Sequence, residues 1–217
     1  MNTEEQFFVE HLLDWYKISK RSFPWRTSHS TPYKILVAEL MLKKTRAENV
    51  VGPFQEFITK YPTPNSVARA EYEDLRATLA PLGLINQRVK AFKSIFLAIK
   101  EKHGGIIPNS RELLLQLPYI GAYTANAVLC FGFGYDVPIV DINVTRVCKR
   151  YFGLEVYDDP RVDKHIWELL ARITPKGASK EFNYAILDLG SLICKSRNPI
   201  HDICPLKRFC KTVAPQL

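Results

Sequence analysis

The chain has 217 residues, which at about 150 per domain gives roughly 1.4 domains: one large globule or two interwoven small ones, and no tandem array. Its 47% hydrophobic and 24% charged residues are ordinary for a folded chain and argue against intrinsic disorder. Thirty Lys and Arg against 22 Asp and Glu leave a net charge of +8, and a basic surface points to a polyanionic partner, nucleic acid first. The opening MNTEEQFFVE carries two Glu where a signal peptide needs positive charge, and no apolar run approaches the ~18 residues of a membrane span. A cytoplasmic, nucleoid-associated protein with no membrane partner is therefore expected.

Helical periodicity starts with Phe7, Phe8, His11, Leu12 and Trp15 at spacings of three and four. Thr31-Pro32 supplies a cap and a first-turn proline before YKILVAELMLKKT, and Pro64-Asn65-Ser66 opens another helix. Gly83 precedes a basic amphipathic stretch, Asn86–Lys100, and His103-Gly104-Gly105 through Pro108 is a turn leading into SRELLLQL. That helix halts at Pro118, and AYTANAVLCF follows almost at once as the second arm of a tight helix-hairpin-helix. Further on, Asp141 caps a helix with Val144, Val147, Cys148 and Tyr151 on one face, and Trp167, Leu170 and Ile173 suggest another. Strand-like alternation is scarce, so the expected fold class is all-α.

Three features carry chemistry. The hairpin Leu117 to Thr124 offers free backbone N–H groups at a helix start, where a phosphate can dock, although an ordinary helical turn has the same composition. Asp141, in Val140-Asp141-Ile142-Asn143-Val144, places a carboxylate at a helix N-terminus, either to stabilise a developing cation or simply as an N-cap. Glu39 interrupts Ile35-Leu36-Val37-Ala38 and Leu40-Met41-Leu42; a carboxylate in such surroundings is costly unless paired or protonated, and a protonated one is a general acid. A narrow solvated stripe is the bland alternative for Glu39.

The tail reads Cys194, His201, Cys204, Cys210, or C-x6-H-x2-C-x5-C. Three thiols and an imidazole so close together in a reducing compartment point to metal rather than to disulfides. Basic residues recur beside apolar ones at Lys43-Lys44 and Arg46, at Arg88, Lys90 and Lys93, at Lys149-Arg150, and at Lys207-Arg208 with Lys211. Together with the hairpin they fit phosphate contacts.

Taken in order, LPYIGAYTANAV, VDINVTRV and the C-terminal ligand set resemble the helix-hairpin-helix DNA glycosylases of the endonuclease III superfamily, over nearly the whole chain. LLDWY, FPWR and TPYKILVAELMLKKT are similar to its MutY adenine glycosylase branch and to the related thymine mismatch glycosylases. The resemblance implies a two-lobed fold: residues 29–137 as a helical barrel bearing the hairpin at 111–130, and residues 1–28 with 138–217 as a second lobe whose loop, 194–210, holds a 4Fe–4S cluster. It also implies a monomer that flips a nucleotide out of mismatched or damaged double-stranded DNA.

By the same resemblance Asp141 is the catalytic aspartate, Glu39 assists departure of the base, Leu84 is the wedge that fills the vacated stack, and Lys43 lies near the orphaned base; Lys44 and Arg88 are expected among the DNA contacts. Tyr119, Ile120 and Gly121 form the phosphate-binding turn. Tyr123 stands where bifunctional members carry a Schiff-base lysine, and a phenol forms no imine, so a monofunctional glycosylase without efficient lyase action is expected. The sequences around Leu84, Lys43 and Asp141, and an end only seven residues after Cys210, favour T or U opposite G as the substrate. Adenine opposite G or 8-oxoguanine is the alternative, and a non-catalytic DNA-binding or redox-sensing protein the second. Two departures stand out. Tyr119 replaces the hairpin's first glycine, so a different backbone conformation is expected there. His201 replaces one cysteine, which raises the potential of a Cys3His cluster as in Rieske centres, with zinc as the alternative metal.

Overall fold

The computed structural model describes residues 1–155 and 163–213; residues 156–162 and 214–217 of the expected C-terminal lobe lie outside the described residues. The helices are α1 (Thr3–Ser19), α2 (Pro32–Leu42), α3 (Ala47–Lys60), α4 (Pro64–Arg69), α5 (Tyr72–Leu79), α6 (Ile85–His103), α7 (Arg111–Leu115), α8 (Ala122–Ala127), α9 (Ile142–Phe152), α10 (Lys164–Ile173) and α11 (Ser179–Leu192). No strand occurs among the described residues, so the all-α expectation holds. No helix among them is long and apolar enough to cross a membrane. The chain divides into two compact units, residues 22–133 and residues 1–21 with 134–217.

In the unit of residues 22–133, α2 is the central helix. It is buried nearly all round, from Tyr33 through Met41, as a helix with few polar positions is when it lies inside a core. Thr31 caps it by accepting from the Lys34 amide, and Pro32 presets its first turn. A π-helical segment, Val128–Gly132, continues α8 and packs on α2. The approach is so close that a Cβ on Gly132 would lie 2.7 Å from the Pro32 Cα, so only glycine fits. The long amphipathic α6 packs on α4 and α5; it buries Val89, Phe92, Ile95, Phe96 and Ile99, with Phe92 against Phe57 of α3 and Phe96 against Tyr33 of α2. Each such side chain, fully buried, contributes about 2 kcal/mol. The helix ends where Gly104 takes φ +61°, as the glycine pair in the sequence suggests.

In the other unit α11 lies against both α1 and α9. Phe8, Tyr151, Phe152 and Phe182 form an aromatic knot with ring centroids 4.6–6.2 Å apart. The buried Asp188 carboxylate accepts the Arg21 Nε–H at 2.7 Å and the Arg21 backbone N–H at 3.0 Å, fixing the chain just beyond α1 on α11. Glu5 completes a capping box with Asn2 and accepts from Arg172 at 2.6 Å, and that guanidinium holds the Glu5 carboxyl below the usual carboxylate range. A carboxyl with a lowered pKa stabilises the fold above its unfolded pKa and loses that contribution as pH falls through the folded value. The α1–α10 contact is therefore expected to loosen below about pH 4.5.

Candidate active site and nucleic-acid interface

Asp141 owes its position to α11. The Asn183 amide oxygen accepts from the Ile139 N–H at 3.0 Å and its NH2 donates to the Val137 carbonyl at 2.9 Å, pinning the extended segment that delivers Asp141 to the start of α9. There one carboxylate oxygen accepts from the Val144 N–H at 2.7 Å and the other from the Asn143 Nδ2 at 2.8 Å. The two donors fix the direction of the carboxylate at the start of α9. At the point where α9 crosses α11, a Cβ on Gly190 would meet the Asn143 Cβ at 3.1 Å. Arg146 ties the same crossing by donating to the Gly190 and Cys194 carbonyls. The roles of Asn183, Asn143 and Arg146 are not evident from the sequence, where only the Asp-x-Asn spacing hints at the second.

Glu39 lies on α2 and is 7% exposed, so the solvated stripe is not where it sits. One turn on, Lys43 is exposed, and its ammonium donates to the Tyr119 carbonyl at 2.8 Å. Crowding around that ammonium lowers the Lys43 pKa; the charge of Glu39 opposes the shift and that of Arg88 adds to it. Lys43 thus links the end of α2 to the hairpin.

Arg88, expected among the DNA contacts, is instead buried, at 6% exposure. Its guanidinium donates to the carbonyls of Leu40 (2.6 Å), Met41 (3.0 Å) and Lys43 (3.1 Å) at the end of α2, to those of Leu82 (3.3 Å) and Gly83 (3.2 Å), and to the Thr45 hydroxyl (3.0 Å). The last carbonyls of a helix lack intrahelical partners and attract a cation, so Arg88 serves as the C-cap of α2 and joins it to the start of α6. Replacing it by Met should destabilise the protein by about 3 kcal/mol, because several buried acceptors lose their donor; urea unfolding measures this. Lys93 is likewise committed, to the Ala68 and Ala70 carbonyls, and Arg150 to those of Lys195 and Ser196. Lys44, Lys90 and Lys149 remain exposed.

The hairpin does not change its backbone to suit Tyr119. Tyr119 itself takes the left-handed conformation, φ +61°, that its sequence position reserves for glycine. Gly121 has φ −105° and stands at the N-cap of α8, while Ile120 is buried and its N–H donates to the Leu117 carbonyl at 3.4 Å. Tyr123 is half-buried in the first turn of α8. Lys44 and Leu84 also have positive φ, 58° and 49°. Each of these three residues carries a strain on the order of 1–2 kcal/mol, and strain of this kind clusters at functional sites. All three line one pocket of about 390 Å³, with Lys43, Gln87 and Lys90 around it and Leu40, Ala91 and Phe92 behind.

Of the metal-ligand candidates, Cys194 and Cys210 meet at one residue: the Arg150 Nη1 donates to the Cys194 Sγ at 3.5 Å, and the Cys210 thiol donates to the Arg150 carbonyl at 3.4 Å. The loop between them thus closes on the end of α9. Burial raises the Cys204 pKa, with Cys210 and Cys194 adding to the shift, and His201 is half-buried in the same loop. Among the described residues no three His, Cys, Asp or Glu side chains converge on one point. Three thiols and an imidazole are donors that either a 4Fe–4S cluster or a zinc ion accepts.

Residues 37–172 match the family described as HhH-GPD superfamily base excision DNA repair protein. The chain is 37% identical over 203 residues to a thymine-DNA glycosylase of Aeropyrum pernix, covering 92% of this chain and 91% of the relative. It is 32% identical to a thymine/uracil-DNA glycosylase of Methanothermobacter thermautotrophicus, covering 96% and 94%. An adenine DNA glycosylase of Buchnera aphidicola is also 32% identical over 94% of this chain, which spans only 58% of that relative. The solved structure of a thermostable thymine-DNA glycosylase superposes with a TM-score of 0.93 at 31% identity, over 98% of this chain and 97% of that one.

Proposed function

The chain belongs to the HhH-GPD superfamily of base excision DNA repair proteins, and we propose that this DNA glycosylase removes thymine or uracil opposite guanine from double-stranded DNA. The observation that supports the choice of base is the 37% identity to a relative named for thymine, together with the TM-score of 0.93 to the solved thymine-DNA glycosylase. Asp141, held by two donors, stabilises the positive charge that develops on the sugar as the glycosidic bond breaks. Glu39 delivers a proton to the departing base. The two carboxylates take different tasks because one lies at a helix start among N–H donors and the other inside an apolar helix. The backbone of the turn at Gly121 receives a phosphate, Leu84 enters the stack, and Lys44 and Lys90 face the polyanion, so affinity falls steeply with salt.

Tyr123 leaves α8 without an imine-forming amine at the position where bifunctional relatives carry lysine. On a U:G duplex the expected product is an intact strand with an abasic site, broken only by hot alkali, and no protein–DNA adduct on borohydride reduction. Spontaneous breaks and an adduct at the rate of base release would overturn the monofunctional reading.

Cys194, His201, Cys204 and Cys210 are the residues we assign to a 4Fe–4S cluster, whose role here is to brace the loop against α9. Anaerobically purified protein should absorb broadly near ~400 nm, as cysteine-ligated iron–sulfur clusters do. A colourless protein with one zinc per chain would reverse the assignment.

A further inference from the structure

We propose that Tyr119 is a second side chain that enters the DNA, stacking on a base exposed at the lesion from the pocket it lines together with Leu84. The inference rests on the glycosylase reading and adds to it a specificity-determining residue. Tyr119 is 50% exposed and Leu84 is 48% exposed, and both line the one pocket whose other walls carry Lys43, Lys44 and Gln87. An exposed aromatic on a monomer's cationic face is the usual platform for an unstacked base, since every base has a π face. The ring is also unencumbered: among the described residues its phenol makes no hydrogen bond and its ring no aromatic contact, while Lys43 fixes only its carbonyl. The residue is thus anchored by its backbone and free at its tip.

Its backbone conformation makes the case specific. Glycine adopts φ +61° without steric cost, and a bulky residue there is an outlier. The chain nevertheless holds a tyrosine at this position, and folding gains nothing evident from its ring. The strain, the exposure and the shared pocket are all accounted for if the ring's partner is the nucleic acid.

The test is Tyr119→Gly, with Tyr119→Asn as a second variant because Asn also tolerates the left-handed region. Thermal unfolding is measured beside the ratio of dissociation constants for a fully paired duplex and for one carrying an uncleavable abasic analogue opposite G. Removing the ring should leave Tm unchanged or higher while the ratio falls about tenfold, the loss of one base–aromatic stack. Tyr119→Phe, which keeps the ring, should restore the ratio. A ratio unchanged in both ring-less variants overturns the inference, as does one that falls together with Tm and is not restored by Phe. Base release by the unmodified protein on a U:G duplex is the control: its absence alone refutes the glycosylase reading, whereas its presence with an unaltered ratio refutes only the role of Tyr119.

Discussion

Asp141→Asn should lower the rate of base release about a thousandfold, or about 4 kcal/mol of transition-state stabilisation, while leaving duplex affinity within about threefold. The size follows from what is removed. A carboxylate fixed by the Val144 and Asn143 donors is a preorganised negative charge for a cationic transition state, and its amide is neutral. The same geometry makes the variant a clean probe. Asparagine caps helices as well as aspartate does, so the Val144 N–H keeps an acceptor and stability should change by less than about 1 kcal/mol. Single-turnover kinetics with a urea titration of the same preparation checks both halves; full activity would remove Asp141 from the chemistry.

Glu39→Gln should slow release of thymine and uracil by about a hundredfold or more, the usual contribution of a positioned general acid. Here the leaving group provides the discriminating readout. 5-Fluorouracil is a more acidic base and departs more readily as an anion, so it depends less on protonation. The variant should therefore lose much less activity on 5-fluorouracil opposite guanine than on uracil. An equal loss on both would mean that Glu39 acts through packing in α2 rather than by proton transfer. Gln is nearly isosteric with Glu, so a helix as enclosed as α2, with Leu36, Val37 and Leu40 beside this position, should retain its packing.

Helix caps and periodicity carry most of the secondary structure in the sequence. Thr31-Pro32, Asp141 and the Gly104 pair each mark a boundary because the residue itself supplies the hydrogen bond or the φ that the boundary requires. The assignment of charges was less legible, for a physical reason. A Lys or Arg that caps a helix and one that binds phosphate satisfy the same need for an oxygen acceptor, and composition does not tell which oxygen. Arg88 did leave a signal: it falls four residues before Phe92, on the stripe that continues through Ile95, Phe96 and Ile99, so it lies on the apolar face of α6 and is drawn to the carbonyls beneath it. Lys90 falls off that stripe and stays in solvent. The backbone at Tyr119 is hard to read from sequence for another reason. The usual preference of glycine for positive φ suggested that the backbone would change, whereas the turn and the Lys43 bond kept the conformation and the side chain bears the strain. Asn183 and Arg146 act across more than forty positions of sequence, a separation at which no local pattern reports contact.

The basic surface is correspondingly smaller than the net charge suggests. Arg88, Lys93, Arg150 and Lys43 are held by carbonyls, and Lys211 by Glu4, which leaves Lys44, Lys90 and Lys149 among the exposed cations that we propose for phosphate contacts. Each of these contacts should add about 0.9 to the slope of log affinity against log salt.

The choice of base is tested most directly by single-turnover release from otherwise identical duplexes carrying T:G, U:G, A:G and A:8-oxoguanine. The expected result is release of thymine and uracil from the first two, with adenine untouched in the others. Release of adenine alone, with T:G and U:G intact, would contradict it.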